Sequence, residues 1–448
     1  MKKILSMVLT ILLVFVAFSG CTQQSKSPSS SVPSTAPSSA ASSDNNEGDT
    51  QSYDPVTLKL LMTGDTARAD RFASIFQKLA DETNISVEVS LSAASELPTK
   101  YATEIAAGTA PDIGWFMDSF MMDFMANGNL IDISAVKDDA DYKYNDIFPA
   151  VSKLGQYDGK VYLIPFTAGA RCIYFNKDIF GAAGFEDPLT LYNEGEWTWD
   201  KLFDLAVNLT DKSTGTYGLS LLNYGNPKDW TVLYDFVWAY GADFFSKDMT
   251  KAEMNSPEMI SCLQRYYDLI YTDGAHVKPG DQITFESGQV AMCRNQFSFS
   301  KSIQDVDFDW DIAPLPAGPV KDAPVGTGVA GYSVLKGCKH VDEAIEAVKF
   351  ITNTEQQSEL MDLFAPTRES VLNSDAFLNA SESKPSPEGR KAACIDSLEN
   401  LRAFPSAPNM NDINTKMKEI MDYFYAGSLS ASDTVAKMEE EVTPLLGK

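Results

Sequence analysis

Between Val56 and Phe116 the apolar residues change their spacing four times, and few folds absorb such an alternation. Val56 to Met62, VTLKLLM, is a short apolar run closed by Thr63-Gly64-Asp65-Thr66, which reads as a buried strand and its loop. Phe72, Ile75, Phe76 and Leu79 follow at i, i+3, i+4 and i+7, one apolar stripe on a helix. Ile85, Val87, Val89 and Leu91 then alternate with polar residues, the period of a strand with one buried face. Strand, helix, strand predicts a parallel pair. A second helix is expected from about Pro98 to Ala107, with Ser95 near its start and Gly108 placed to end it in the left-handed conformation. Ile113-Gly114-Trp115-Phe116 then reads as another strand, so the fold class is α/β.

The same alternation continues downstream. Thr198 is placed to cap a helix whose Leu202, Leu205, Ala206 and Leu209 share a face, and Ser256-Pro257 is a cap with proline behind it, ahead of Met259, Leu263, Tyr266 and Ile270. Val341 to Phe350 is helical again after the Gly-rich Gly326 to Gly331, and a helical C-terminal region is expected from Gly389 onward. No fixed-period repeat is present, which disfavours a solenoid or propeller.

None of this pattern reaches the N-terminus. Lys2 and Lys3 precede an apolar run from Ile4 to Phe18, followed by Ser19-Gly20-Cys21, the layout of a secretory signal over residues 1–20. The run falls short of the ~20 residues of a membrane span. Ala17 to Cys21 resembles a bacterial lipobox, which would make Cys21 the lipidated first residue of the mature chain. Residues 21–53 are Ser, Pro, Ala, Thr, Asn and Asp with hardly a large apolar side chain, too little to bury, and read as a tether between a lipid anchor and a body that begins near Asp54.

Composition then removes whole classes. With 36 Lys+Arg against 62 Asp+Glu the net charge is −26, leaving no basic footprint for a nucleic acid. Two His leave little for a His-based zinc site or a His-dependent triad, and six Cys are too sparse for a disulfide scaffold. No nucleotide, dinucleotide or zinc-protease motif occurs, so no metal or cofactor is expected. Gly155 to Lys160 reads as a turn, and Glu194 with Glu196 as a solvated charged face. What remains is a set of aromatic and polar residues at loop positions. Asp65 and Arg68 follow one strand, Trp115, Phe116 and Asp118 follow another, and Tyr224, Trp230 and Trp238 flank a Gly/Asn/Pro-rich segment. Ligands of open α/β sheets bind beyond the carboxyl ends of the strands. Flat rings for apolar C–H faces, with carboxylate, amide and guanidinium groups for a rim of hydroxyls, suit a sugar. Trp238, between apolar neighbours, is read as core.

The motifs together resemble the extracellular solute-binding proteins of family 1, the maltose-binding-protein type. Thr99 to Phe116 (TKYATEIAAGTAPDIGWF) is similar to that family's helix, turn and strand. Tyr157 to Phe166 (YDGKVYLIPF), Tyr174 to Gly184, Trp197 to Ala206, Phe285 to Met292, Ala313 to Gly318 and Ala365 to Arg368 (APTR) follow in family order. The resemblance implies a two-lobed α/β periplasmic-binding-protein-like fold with a cleft between the lobes and no catalysis. Lobe 1 would hold residues 54–166 and 315–365, and lobe 2 residues 167–314 and 366–448, with crossings near Pro165-Phe166, Pro314-Leu315 and Ala365-Pro366.

The implied function is capture of a carbohydrate, an oligosaccharide, for an ABC importer, by a lipid-anchored monomer that docks on permease subunits. Implied binding positions are Asp65, Arg68, Trp115, Phe116, Asp118, Arg171, the Trp230 region with Tyr224, Asn295 and Tyr332. Two other classes stay open: a surface-anchored glycan hydrolase, and a sensor subunit on the same scaffold. Within the binding class a polyamine, an iron chelate and a small anion stay open as ligands; the net charge disfavours an anion only weakly, because charge inside a cleft can oppose the global sign.

Overall fold

The computed structural model describes residues 53–446 apart from 170, 223–228, 327, 381–383, 403, 406 and 408. The expected signal and tether, with Cys21, lie outside the described residues, as does Tyr224.

The opening alternation is realised as β1 (Val56–Met62), α1 (Thr66–Thr83), β2 (Ile85–Leu91), α2 (Leu97–Ala107), β3 (Ile113–Met117) and α3 (Asp118–Ala126). The buried residues of α1 are Phe72, Ile75, Phe76 and Leu79, its predicted stripe, and the Asp65 carboxylate caps it by accepting from the Arg68 N–H at 2.8 Å. Gly108 ends α2 at φ 69°, while Glu96 rather than Ser95 stands at its N-terminus and makes no side-chain cap. β4 (Ile164–Gly169), β5 (Arg171–Asn176), α4 (Trp199–Asn208), β6 (Tyr217–Ser220), α5 (Tyr234–Ala239), α6 (Pro257–Tyr271), β7 (Val290–Gln296), β8 (Trp310–Pro314), β9 (Gly328–Val334) and α7 (Val341–Ile351) follow. Thr198 and Ser256 cap α4 and α6 with their hydroxyls. The helical end consists of α8 (Pro387–Cys394), α9 (Met410–Tyr425) and α10 (Ala431–Val442).

Two sheets divide these strands. The first runs β2-β1-β3-β9-β4, parallel among β2, β1 and β3 and antiparallel across β9; the second runs β8-β5-β7-β6. Separate apolar cores lie behind them, one with Leu60, Phe76, Tyr101 and Val348, the other with Trp199, Leu263, Ile420 and Met438. The fold is therefore mixed α/β and two-lobed.

The lobes change hands at places other than the proline pairs. Pro165 and Phe166 lie inside β4, which stays in the first sheet to Gly169 before β5 opens in the second at Arg171. Pro314 closes β8, and the chain then remains on the second lobe: the Ala317 N–H donates to Trp197 O, its carbonyl accepts from the Trp199 N–H, and the Val320 N–H donates to Ala239 O. Both prolines sit in edge strands, where a missing N–H removes no ladder bond, so they are compatible with strand and mark no crossing. The third segment stays on the first lobe past Ala365-Pro366. The Thr367 hydroxyl donates to Pro165 O, and the buried Arg368 guanidinium donates to the carbonyls of Thr352, Lys143 and Tyr142.

Candidate functional site

Strand ends from both sheets converge on one cleft. The first lobe supplies the opening turn of α1, the end of β3 and Phe364; the second supplies the residues that close β7, Asn295 to Ser298. β4 and β9 form its floor. A parallel pairing of Val325–Gly326 with Leu401–Arg402 brings the segment of Arg402, Phe404 and Pro405 to the same place. Three cavities lie end to end: a central one of about 160 Å³ against Trp115, Asp118 and Gly169, one of about 540 Å³ toward Arg71 and Lys301, and one of about 390 Å³ toward Lys247 and Phe404. Arg68 and Ser298 border both the central and the larger cavity, and Asp118 borders the central and the third, so the three form one groove.

The central cavity holds unpartnered polar atoms. Trp115 is 3% exposed and its ring stands edge-on to Tyr332 at 5.1 Å, yet its indole N–H meets no acceptor among the described residues. One carboxylate oxygen of Asp118 is likewise buried without a donor. Burial pushes the Asp118 carboxyl up to about 7, against the pull of the Arg171 guanidinium. Groups like these cost on the order of 1–3 kcal/mol each when left unpaired, and a bound ligand's polar rim is what would satisfy them.

Arg171 is set behind this surface. Its guanidinium lies under the Phe404 ring and 3.5 Å from Asp235, whose Oδ2 also accepts two bonds from Arg294 at 2.6 and 2.8 Å and whose Oδ1 accepts from the Gly326 N–H at 3.0 Å. Desolvation, then the neighbouring Arg294 charge, lowers Arg171 to about 10, and among the described residues its Nε and Nη1 make no hydrogen bond. Arg402 lies over the Trp238 ring at 4.4 Å and pairs with Asp243 at 2.6 Å.

The groove thus collects Asp65, Arg68, Trp115, Asp118 and Asn295 from the expected positions. Three others are packed elsewhere. Phe116, next to Trp115 on β3, points to the opposite face and stacks on Tyr101 at 4.8 Å, as the two-residue period of a strand demands. Trp230 is fully buried in the second-lobe core, where its indole N–H donates to Asn414. Tyr332 is fully buried among Trp115, Phe166 and Phe72, beneath the groove rather than in it. Trp238 is core, as expected. Sequence reading passed over Arg71, Lys301, Phe364, Arg402 and Phe404. For the last two, an Arg-x-aromatic-Pro run inside an otherwise helical tail was the available signal.

Residues 68–358 match the family described as bacterial extracellular solute-binding protein. The chain belongs to that family. This solute-binding protein is 25% identical over 325 residues to the maltotriose-binding protein of Pyrococcus abyssi, covering 68% of this chain and 66% of that one. Among solved structures it is similar to an ABC substrate-binding protein of Listeria monocytogenes in complex with cycloalternan, with a TM-score of 0.76, 23% identity, and coverage of 88% and 99%. It is also similar to an ABC transporter solute-binding protein of Agrobacterium radiobacter in complex with ribitol, with a TM-score of 0.72, 21% identity, and coverage of 88% and 100%.

Proposed function

We propose that this solute-binding protein captures an oligosaccharide between its lobes and hands it to the permease of an ABC importer, while lipid on Cys21 holds it at the outer face of the membrane. The observation that carries the reading is the pair of buried, unpartnered groups in the central cavity, the Trp115 indole N–H and the Asp118 carboxylate. They present a flat ring, a donor and a carboxyl together, which is the chemistry of a sugar's faces and hydroxyls. The length of the groove, with cavities on either side of the centre, suits several linked units. The names of its relatives, binders of maltotriose and cycloalternan, support the same class.

Binding without turnover fits the carboxylates. Glycoside hydrolysis uses two of them across the scissile bond, whereas Asp118 is the one acid among the described residues lining the central cavity. Asp65, farther along, is engaged in capping α1.

Intrinsic fluorescence and thermal melting of residues 54–448 against a panel of neutral and acidic mono- and oligosaccharides test the proposal. A saturable spectral change with a rise in melting temperature is expected for at least one oligosaccharide, because a ligand selective for the folded state must stabilise it. Trp115→Ala should abolish both signals. Silence across the panel would remove the carbohydrate assignment.

A further inference from the structure

The groove contradicts the charge of the chain that contains it. In a protein of net charge −26, the cavities are lined by Arg68, Arg71 and Lys301 at one end and Lys247 and Arg402 at the other, against Asp65 and Asp118. Arg71 and Lys301 share Asp362, and Arg402 has Asp243. Arg68 and Lys247 have no carboxylate partner among the described residues, and the Arg68 guanidinium rests on the Phe364 ring at 4.9 Å, facing both the central and the larger cavity.

Among the described residues the Trp115 indole N–H lacks an acceptor and one Asp118 oxygen lacks a donor in the groove, while Arg171, behind the Phe404 ring and 3.5 Å from Asp235, does not line it. A sugar hydroxyl both donates and accepts, but a carboxylate only accepts, and the planar fork of Arg68 matches it. Cations gathered in a low-dielectric cleft focus the field there, whatever the sign of the whole molecule. Resting on the carbohydrate reading above, we infer that the ligand is an acidic oligosaccharide, with a uronate carboxylate seated on Arg68 beside Trp115.

Calorimetric titration with trimers of galacturonate, mannuronate and guluronate, each beside its carboxyl-reduced counterpart, maltotriose and a sulfated neutral trimer, decides the matter. At least one uronate trimer should bind about tenfold or more tightly than its reduced form, a preference that weakens with added salt. Arg68→Gln should remove that preference without lowering the melting temperature, and Arg68→Lys should restore part of it. A reduced trimer or maltotriose that binds equally well, with no salt dependence, overturns the acidic assignment while the carbohydrate reading stands. Preference for the sulfated trimer over every uronate overturns the carboxylate. Binding in no arm overturns both readings.

Discussion

The guanidinium of Arg171 lies 4.1 Å from the centre of the Phe404 ring, joining the first strand of the second sheet to a segment near the far end of the chain. The ring is itself 5.0 Å from Tyr234 and 5.9 Å from Trp238, and its other side borders the cavity next to Asp118. Phe404 therefore seals a buried cation from water and supplies groove wall at once. Phe404→Ala is expected to weaken ligand binding about tenfold through lost ring contact and a hydrated Arg171. Calorimetry with the ligand found in the carbohydrate panel measures this; an unchanged affinity would show that the ligand does not reach this end of the groove.

Asp235 carries a heavier duty. Its side chain is 1% exposed and faces Arg294 at 2.6 Å and Arg171 at 3.5 Å. Removing its charge leaves two guanidinium groups in the second-lobe interior without compensation, a loss of about 3–5 kcal/mol. Urea denaturation of Asp235→Asn should show that loss as a lower midpoint at unchanged slope. A stability within about 1 kcal/mol of the parent would mean that water compensates the two guanidiniums.

Two groups tie stability to pH with opposite signs. Asp118, raised to about 7 from 3.8, holds its proton in the folded chain where the unfolded chain has lost it, so its contribution is most favourable below about pH 4 and is lost as pH rises through 7. His276 is lowered to about 4 from 6.5 by burial; its Nε2 accepts from the Leu221 N–H, and its contribution is present above 6.5 and lost as pH falls through 4. In the window between 4 and 6.5 the two slopes oppose each other. Asp118→Asn should therefore gain stability over the parent at pH 8, by about 2 kcal/mol once solvent reaching the cleft is considered, and none at pH 4. Melting temperatures across that range check the sign.

What the sequence disclosed depended on periodicity. The stripe Phe72, Ile75, Phe76, Leu79 is the buried face of α1, and the hydroxyls of Thr198 and Ser256 cap the helices they precede. A strand's period also says that Trp115 and Phe116 face opposite ways, but not which of them meets the cleft; that depends on which sheet face α2 and α3 cover, a tertiary fact. Tyr332, a binding position implied by the resemblance, lies in β9 and packs beneath the site, because it pairs with Trp115 across adjacent strands. Phe404 was illegible for the opposite reason. It sits in an aperiodic stretch of prolines, and only the pairing of Leu401–Arg402 with Val325–Gly326 carries it to the groove.

Across the mouth of the larger cavity, Lys301 of the second lobe stands 3.6 Å from Asp362 of the first, with side chains 58% and 41% exposed. Pairs so exposed contribute about 0–1 kcal/mol, too little to hold two lobes together, and Asp362 is in any case engaged by Arg71 at 2.9 Å. If the lobes close on ligand, the difference must come from contacts the ligand makes better in the closed state, since equal affinity for both states shifts nothing. Small-angle scattering should then show a decrease in the radius of gyration on saturation of the parent protein. Lys301→Ala should leave that decrease in place and the affinity within about threefold, while Trp115→Ala should remove it. Loss of compaction in Lys301→Ala at saturating ligand would move the closing force from the buried indole and carboxylate to the rim.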